Sequence, residues 1–325
     1  MIKSGLWVVA GAALALGWTT AQAGEGKVKG YMFGDYYTVL SADEGEGKLP
    51  EKQNAFQMRR IYLTYEKDID ETFSTRLRYE AKDAGFGNDS KMNPFVKHAY
   101  LKWKKGLGGA DVYIGLSGTP TWAITEKAWG YRAIEKTLLD LNKIGSSADL
   151  GVALKGKSGK LGYFFMVGNG PGQSTEDDNG KKVYGSLSMG AGDGITVVGY
   201  ADFNMRPADQ NQLTVKGLLA VQKENFHGGV EGFMRVNQEA AGPGEDGTLT
   251  GVSAFGAIGL ADGLKGFGRV DMVSNDHLDT TDLLIIAGLD HSPAKNIHLM
   301  PNLYVQMPDG PDPNIQARVT FYYKY

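Results

Sequence analysis

Charged side chains recur at every second position in several segments of this sequence. Between Thr72 and Ala81, Arg76, Arg78 and Glu80 alternate with apolar and aromatic residues. Because successive side chains of a strand point to opposite faces, the three charges share one face. That face is either the solvated surface of a soluble sheet or the wall of a water-filled lumen. In a lumen, the chemistry of these residues is electrostatic selection of ions.

The same alternation assigns further polar residues to this face. Basic residues outnumber acidic ones among them, which favours anions; alternatively, neighbouring charges pair and leave little net field. The residues predicted to line the lumen are Arg76, Arg78, Glu80, His98, Tyr100, Lys102, Asp202, Lys216, Glu231, Arg235, Arg269, Asp271 and Arg318.

Residues for bond-making chemistry are absent or wrongly spaced. The chain has no cysteine, which excludes thiol nucleophiles, zinc–thiolate sites, disulfides and c-type haem attachment. The five histidines are scattered, and there is no G-x-S-x-G motif. Two acidic stretches could suggest a calcium site, namely Asp177, Asp178 and Asn179, and separately Asp309 and Asp312. Neither has the spacing of a calcium loop, and both are interpreted as solvated loop charge. We therefore predict no enzyme, no cofactor and no metal site.

The strand that ends the chain indicates how this pattern is organised. In Asn314–Tyr325, apolar and polar residues alternate, and four aromatic residues cluster near the end. A half-buried strand of a soluble sandwich is one interpretation, but the aromatic cluster suits a membrane interface. A long strand at the end of a chain must also pair on both sides to avoid an open edge. Pairing with the first strand would close a barrel.

Alternating segments of about 10 to 13 residues recur along the whole chain, longer than the roughly 5 to 6 residues of soluble sandwich strands. Their even number, with short turns alternating with longer loops, predicts an all-β fold: a transmembrane antiparallel β-barrel of about sixteen strands. The predicted strands are Val28–Leu40, Asn54–Glu66, Thr72–Ala81, Phe95–Lys104, Asp111–Ser117, Ala148–Lys157, Lys160–Gly168, Lys181–Gly190, Ile195–Met205, Leu213–Lys223, Phe226–Gln238, Leu249–Leu260, Leu264–Ser274, Thr281–Asp290, Lys295–Met307 and Asn314–Tyr325.

One long interval, Gly118–Ser147, breaks the alternation. It includes a helix-like portion, Lys127–Leu141, and enough bulky apolar residues to argue against disorder. Loops of this length in compact folds are usually functional or disordered, so this loop is predicted to be functional. A second irregularity is the pair Arg59-Arg60, where one arginine is expected to face the lumen while the other snorkels or sits at a bulge.

The start of the chain is typical of a secretory signal. Lys3 precedes an apolar run, Leu6–Trp18, and the small-residue site Ala21-Gln22-Ala23, which predicts a signal peptide over residues 1–23 and a barrel domain over residues 24–325. No later run reaches the roughly 18 apolar residues of a membrane helix. The net charge of -3 favours neither nucleic acid nor an acidic tail.

Three runs in the middle of the chain carry a family resemblance. They are VKHAYLKWKKGLGGADVYIGLSGTP, WGYRAIEKT and ADLGVALKGKSGKLGYFFMVGNGPG, and FQMRRIYLTYE precedes them. From about Phe56 to Met189 the sequence resembles the bacterial phosphate-selective porin (porin O and P) family. The resemblance implies a trimeric sixteen-stranded barrel in the bacterial outer membrane that passes small ions and hydrophilic solutes, with a preference for phosphate-like anions.

The resemblance also implies that the third extracellular loop, here Gly118–Ser147, folds inward and constricts the channel. Its expected constriction residues are Trp122, Trp129, Tyr131, Arg132 and Glu135. The last strand similarly resembles the C-terminal targeting strand of outer-membrane proteins, which implies outer-membrane lipid and the barrel assembly machinery as partners; its final residue is Tyr325, where that family of strands most often has Phe. The alternative is a structural barrel that acts as a sleeve for a partner protein, which needs a wide lumen without an obstructing loop.

Overall fold

The computed structural model describes residues 25–42, 50–83, 91–242 and 244–325. The predicted signal peptide, residues 1–23, and the middle of the first predicted loop lie outside these ranges.

Sixteen antiparallel strands form one closed barrel, in which each strand pairs with its neighbours in the sequence and β1 pairs with β16. The fold class predicted from the alternation is therefore confirmed. The strands are β1 Lys27–Ser41, β2 Asn54–Asp68, β3 Phe73–Lys82, β4 Asn93–Leu107, β5 Ala110–Gly118, β6 Ala148–Ser158, β7 Leu161–Gly168, β8 Lys182–Gly192, β9 Ile195–Asn204, β10 Gln212–Gln222, β11 Phe226–Gly242, β12 Glu245–Ala261, β13 Leu264–Asn275, β14 Thr280–Ala294, β15 Ile297–Met307 and β16 Asn314–Lys324.

The two faces of the barrel differ as the alternation requires. Leu219 is 51% exposed and Val319 is 44% exposed, whereas Leu218 and Thr320 beside them are buried. Apolar side chains thus face outward around the barrel, and polar side chains face inward, where other side chains cover them. This arrangement is the reverse of a soluble protein, whose apolar residues are mostly inside.

The barrel closes along a seam where aromatic rings lie over glycines. Tyr31 pairs with Lys324 and Val39 pairs with Gln316, which sets the register of β1 against β16. On the outer face of this seam, a Cβ at Gly34 would lie 2.7 Å from the Phe321 Cζ and closer still to the Gln57 carbonyl oxygen. Only glycine leaves room for that ring and that backbone at this point.

We expect Gly34→Ala to destabilise the closed barrel by about 1–3 kcal/mol, because the added methyl overpacks the seam against backbone that cannot move freely. Urea unfolding measures this, with the folded fraction read from the gel mobility that distinguishes the folded barrel from the heat-unfolded chain. The variant should have the lower urea midpoint. Gly199→Ala is the matched control, since a Cβ at Gly199 meets nothing within 4 Å. Equal midpoints for the two variants would contradict a tightly packed seam.

Several predicted boundaries are wrong because hairpins continue past the alternating segments. The interval between the predicted strands Phe226–Gln238 and Leu249–Leu260 is mostly strand: β11 runs to Gly242 and β12 begins at Glu245, and these two residues pair directly. The interval between the predicted strands Thr281–Asp290 and Lys295–Met307 likewise belongs to β14, which runs to Ala294. Backbone pairing extends these hairpins without an apolar side-chain pattern, since the ladder needs only N–H and C=O groups.

The long loop between β5 and β6 contains two short helices, α1 (Ala123–Trp129) and α2 (Leu138–Leu141). The single helix-like portion predicted over Lys127–Leu141 is therefore wrong. Gly130 adopts φ 74°, and its backbone N–H bonds to the Glu126 carbonyl, so it ends α1 in the left-handed conformation that glycine favours. Neither described helix has the length and hydrophobicity to cross a bilayer.

Candidate functional site

The residues predicted to face the lumen fall into two groups by burial. All thirteen have the parity of the barrel's inner face. The buried group contains Glu80, His98, Asp202, Lys216, Glu231, Arg269 and Asp271. The partly exposed group contains Arg76, Arg78, Tyr100, Lys102, Arg235 and Arg318.

The arginine pair of β2 lies at a β-bulge. Phe33 pairs with Arg60 and Gly34 pairs with Met58, so Arg59 is the extra residue between them. Both guanidinium groups consequently point inward. Arg59 Nε lies 2.6 Å from the buried Asp35 carboxylate, and Arg60 Nε lies 2.9 Å from Glu80. The expectation that one arginine would sit at a bulge holds, but the bulge adds a charge to the inner face because it lets adjacent residues share a side.

A second bulge, in β4, adds another inward cation. Arg78 pairs with His98 and Tyr79 pairs with Val96, which leaves Lys97 as the extra residue. Its ammonium lies 3.1 Å from Glu80 and donates a 2.6 Å hydrogen bond to Ser147 at the end of the long loop. Lys97 escaped the sequence prediction because strict alternation assigns it to the outer face. Two consecutive polar residues inside an alternating strand, as at Arg59-Arg60, are the signal that could have found it.

The long loop is bound to the inner face of β10 and β11 by a buried ion pair. Lys216 Nζ lies 2.9 Å from the Glu231 carboxylate, and both side chains are almost fully buried. Lys216 also donates to the Thr121 carbonyl at 2.6 Å and to the Thr125 hydroxyl at 3.0 Å. Thr125 in turn donates to Glu231 at 2.8 Å. These two predicted lumen residues therefore hold helix α1 against the wall.

Two arginines hold the segment between the helices. Arg269 bonds the Lys136 carbonyl and pairs with Asp271, with 2.8 Å between Arg269 Nε and the Asp271 carboxylate. Arg59, from β2, donates to the Ile134 carbonyl at 2.9 Å and to the neighbouring Ala133 carbonyl. Guanidinium donors thus satisfy backbone carbonyls that lie outside regular secondary structure, as buried carbonyls require.

Aromatic packing completes the attachment of the loop. Trp129 is fully buried and meets the rings of Phe255 and Phe267 edge-on, with centroids 5.7 and 6.3 Å away. Tyr131 stacks on Phe267 at 4.4 Å and faces His227 at 5.8 Å. Since Phe255, Phe267 and His227 have inward parity, the loop packs against the inner face of the barrel.

The remaining charged loop residues stay partly exposed. Arg132 Nε lies 3.4 Å from the Glu126 carboxylate, and Glu135 accepts a 2.8 Å hydrogen bond from the Lys136 backbone N–H. Burial alone would raise the pKa of the Glu135 carboxyl, but the positive charges of Arg59 and Arg318 hold it below its ordinary value. Glu135 is therefore a fixed negative charge among arginines.

The carboxylates predicted to face the lumen are neutralised by neighbours. Besides the pairs of Glu231 and Asp271 described above, Glu80 has the two partners Arg60 and Lys97. Asp202 lies 3.2 Å from the buried Lys182 ammonium, a residue that the sequence prediction missed. These acids consequently contribute little net field to the lumen.

Unlike these carboxylates, three of the arginines predicted to face the lumen form hydrogen bonds to neutral side chains. Arg78 donates to the Thr64 hydroxyl at 2.8 Å. The two others each bond a glutamine oxygen, Arg235 that of Gln212 and Arg318 that of Gln316. Within the described ranges, no carboxylate lies within 4.0 Å of these three arginines. These three arginines therefore lack a direct ion-pair partner, although the charge of Arg318 also acts on the Glu135 carboxyl.

The acidic stretch near Asp177 lies in the loop between β7 and β8. The carboxylates of Glu176, Asp177 and Asp178 come within 4.8 Å of one another, and the Lys181 ammonium lies 3.2 Å from Glu176. Part of the charge is thus compensated inside the loop.

Solved structures with the same architecture are bacterial outer-membrane channels. The outer membrane channel DcaP of Acinetobacter baumannii aligns with a TM-score of 0.70 at 11% identity, over 93% of this chain and 97% of that chain. The anion-selective porin from Comamonas acidovorans gives a TM-score of 0.67 at 11% identity, over 93% and 100% of the two chains. Salmonella typhi OmpF in complex with daunomycin gives 0.65 at 13% identity, over 92% and 97%. Such low identities show a shared fold alone.

A scan of protein-family models and a search of curated sequences give no significant match. The resemblance to the phosphate-selective porin family thus stays a prediction.

Proposed function

We propose that this protein is an outer-membrane porin, a water-filled channel for passive diffusion of small ions and hydrophilic solutes. The observation that carries the proposal is the reversed polarity of the closed barrel: side chains such as Leu219 and Val319 are exposed outside, while arginines and carboxylates lie inside. An apolar exterior of this kind suits lipid, and a closed ladder leaves no unpaired strand edge in it. The known channels that share the fold support the same function.

Residues of the long loop form the constriction in this proposal. The loop lies against the inner face on several sides, through Arg59, Lys216 and Arg269, and so occupies part of the cross-section. The proposed constriction residues are Trp122, Trp129, Tyr131, Arg132 and Glu135. Among them Arg132 and Glu135 remain partly exposed and would meet passing solutes.

The proposed preference is for anions, including phosphate-like ones. Its support is the unequal pairing of the lumen charges, in which the acids have basic partners while Arg78, Arg235 and Arg318 bond neutral groups. Fixed positive charge on a narrow aqueous path raises the local concentration of anions. The solved neighbour described as an anion-selective porin is in keeping with this preference.

The mature chain is proposed to begin after a signal peptide at residues 1–23, to be inserted by the barrel assembly machinery and to assemble as a homotrimer in the outer membrane. Chemical cross-linking of the purified protein in detergent measures the oligomer, and a dominant monomer at all concentrations would contradict the trimer.

A sleeve for a partner protein is the weaker alternative. A sleeve needs an open lumen that can accept another chain, but here the interior holds a loop whose Trp129, Ile134 and Leu138 side chains are fully buried.

The test that separates the two functions is a planar bilayer recording of the purified protein across a potassium chloride gradient. We expect channels with a zero-current potential of the sign set by chloride, and a complete absence of channels would favour the sleeve.

Selectivity should depend on the three arginines without acidic partners. We expect the Arg78→Gln/Arg318→Gln double variant to shift the zero-current potential toward that of potassium, because the fixed positive charge of the lumen falls while the acids stay paired. The control is Arg206→Gln, which removes an exposed arginine from a loop outside the barrel. If the control shifts the potential as far as the double variant does, the lumen arginines do not set the selectivity.

A further inference from the structure

A cavity of about 470 Å³ lies between the long loop and the inner face formed by β1, β11 and β13–β16. Its volume falls in the range of roughly 300–1,000 Å³ that is typical of small-molecule sites. Ring-bearing side chains dominate one part of its lining, and lysines reach it from two directions. The lining residues that matter for the argument are Tyr31, Phe33, Tyr131, Tyr322, Lys127 and Lys265.

The aromatic rings of the cavity are held in position by other rings behind them. Tyr31 stacks on Tyr62 with centroids 4.4 Å apart and an interplanar angle of 24°. Tyr131 is stacked on Phe267, as described above, and Tyr322 meets the His298 ring at 5.5 Å. Tyr31 and Tyr322 are partly exposed and offer apolar ring surface to a solute at little entropic cost, whereas Tyr131 and Phe33 are almost fully buried. Aromatic partners pack on such rings in stacked or edge-on geometry.

The charges of the cavity are unequally paired. Its two acids are engaged by neighbouring side chains: Asp290 lies within hydrogen-bond distance of His298 Nδ1, at 2.8 Å, and Glu126 lies 3.4 Å from Arg132. Its two lysines are not: within the described part of the chain, no carboxylate lies within 4.0 Å of the Lys127 or Lys265 ammonium. The lining therefore carries three basic side chains, Lys127, Lys265 and Arg132, against two carboxylates, and this excess of positive charge favours a ligand with negative charge.

We infer that this cavity binds a planar aromatic carboxylate, with the ring against the tyrosines and the carboxylate toward Lys127 or Lys265. The inference rests on the proposed function, in that the channel is the route by which such a solute reaches the cavity. It goes further in naming the solute class, which a general porin does not require. A simple inorganic anion would use the ammonium groups but would leave the aromatic surfaces without a partner.

Isothermal titration calorimetry of the purified protein in detergent tests the site directly. Three probes separate its parts: benzoate, cyclohexanecarboxylate with the same charge and no aromatic ring, and inorganic phosphate. We expect saturable benzoate binding that is about fivefold tighter than that of cyclohexanecarboxylate, since ring-on-ring contact adds to simple burial. Equal affinity for all three anions, or no benzoate binding, would overturn the inference.

Variants locate the binding. Tyr322→Leu should weaken benzoate binding about fivefold, and the Lys127→Gln/Lys265→Gln double variant about tenfold through loss of a charge-assisted contact. Tyr323→Leu is the matched control, because Tyr323 is the next residue of the same strand but points outward and is exposed. Benzoate binding that is unchanged in Tyr322→Leu and in the lysine double variant would place the ligand elsewhere and contradict the site.

Bilayer recordings keep this inference separate from the proposed function. Channels that conduct potassium chloride and whose current falls as benzoate is added support both. Channels that conduct but ignore benzoate overturn the aromatic site and leave the porin function intact. Saturable benzoate binding in detergent by a protein that forms no channels would overturn the porin function and retain the site.

Discussion

Replacing Trp122–Leu139 by a short Gly-Ser linker should raise the single-channel conductance roughly two- to threefold, because a sixteen-stranded barrel without an internal loop leaves a wide aqueous channel. The segment removed contains both helices' buried faces and the carbonyls that Arg59 and Arg269 bond. Planar bilayer recordings at high salt, where the fixed charges are screened, measure the change in cross-section most directly.

A matched control for this deletion is removal of Gln173–Thr175, which are exposed in the loop between β7 and β8. That deletion should leave the conductance of the open channel unchanged. If removing Trp122–Leu139 also leaves the conductance unchanged, the long loop does not limit the flow of ions, and the constriction assigned to it is wrong.

Breaking the buried pair that anchors α1 should have the second large effect. We expect Lys216→Met to destabilise the attached state of the loop by about 3–5 kcal/mol, because the Glu231 carboxylate is left buried without its ammonium partner. The loop should then leave the wall part of the time. Faster trypsin cleavage after Lys127 and Arg132, together with fluctuating single-channel current, measures this release.

Two further variants test the cause. The Lys216→Met/Glu231→Leu double variant removes both charges and should recover most of the attachment, since an apolar pair of similar volume replaces a buried ion pair at little cost. Lys102→Met breaks the 2.7 Å pair with Asp111, whose two side chains are each 28% exposed, and should cost no more than about 1 kcal/mol. Equal trypsin sensitivity of Lys216→Met and Lys102→Met would contradict the anchoring role of Lys216.

The barrel itself could be predicted because its signal is local. In Thr72–Ala81 each side chain's face follows from its position in the strand, so Arg76 and Leu77 could be assigned before any partner was known. Strand ends were harder, since Gly242 and Glu245 pair through backbone groups that no side-chain pattern marks.

The charges of the site were predictable in identity but not in role. Alternation placed Lys216, Glu231, Arg269 and Asp271 on the inner face, yet it could not show that the long loop covers them. Their part in holding that loop depends on contacts between residues about 90 to 135 positions apart. The bulge at Lys97 was not predicted, and at Arg59-Arg60 the sequence suggested a bulge without showing which residue it adds, because a bulge is a difference between two paired strands and not a property of one.

The sequence by itself determined the all-β architecture, the inward polar face and the position of the long loop, because a period of two is written in neighbouring residues. Only the tertiary structure decided which charges are neutralised and which remain free. Glu80 pairs with Arg60 from β2 and, through the β4 bulge, with Lys97, while the hydrogen bond of Arg78 goes to the Thr64 hydroxyl. Ion pairing depends on distances of a few ångströms between different strands, and the closed barrel with its bound loop sets those distances.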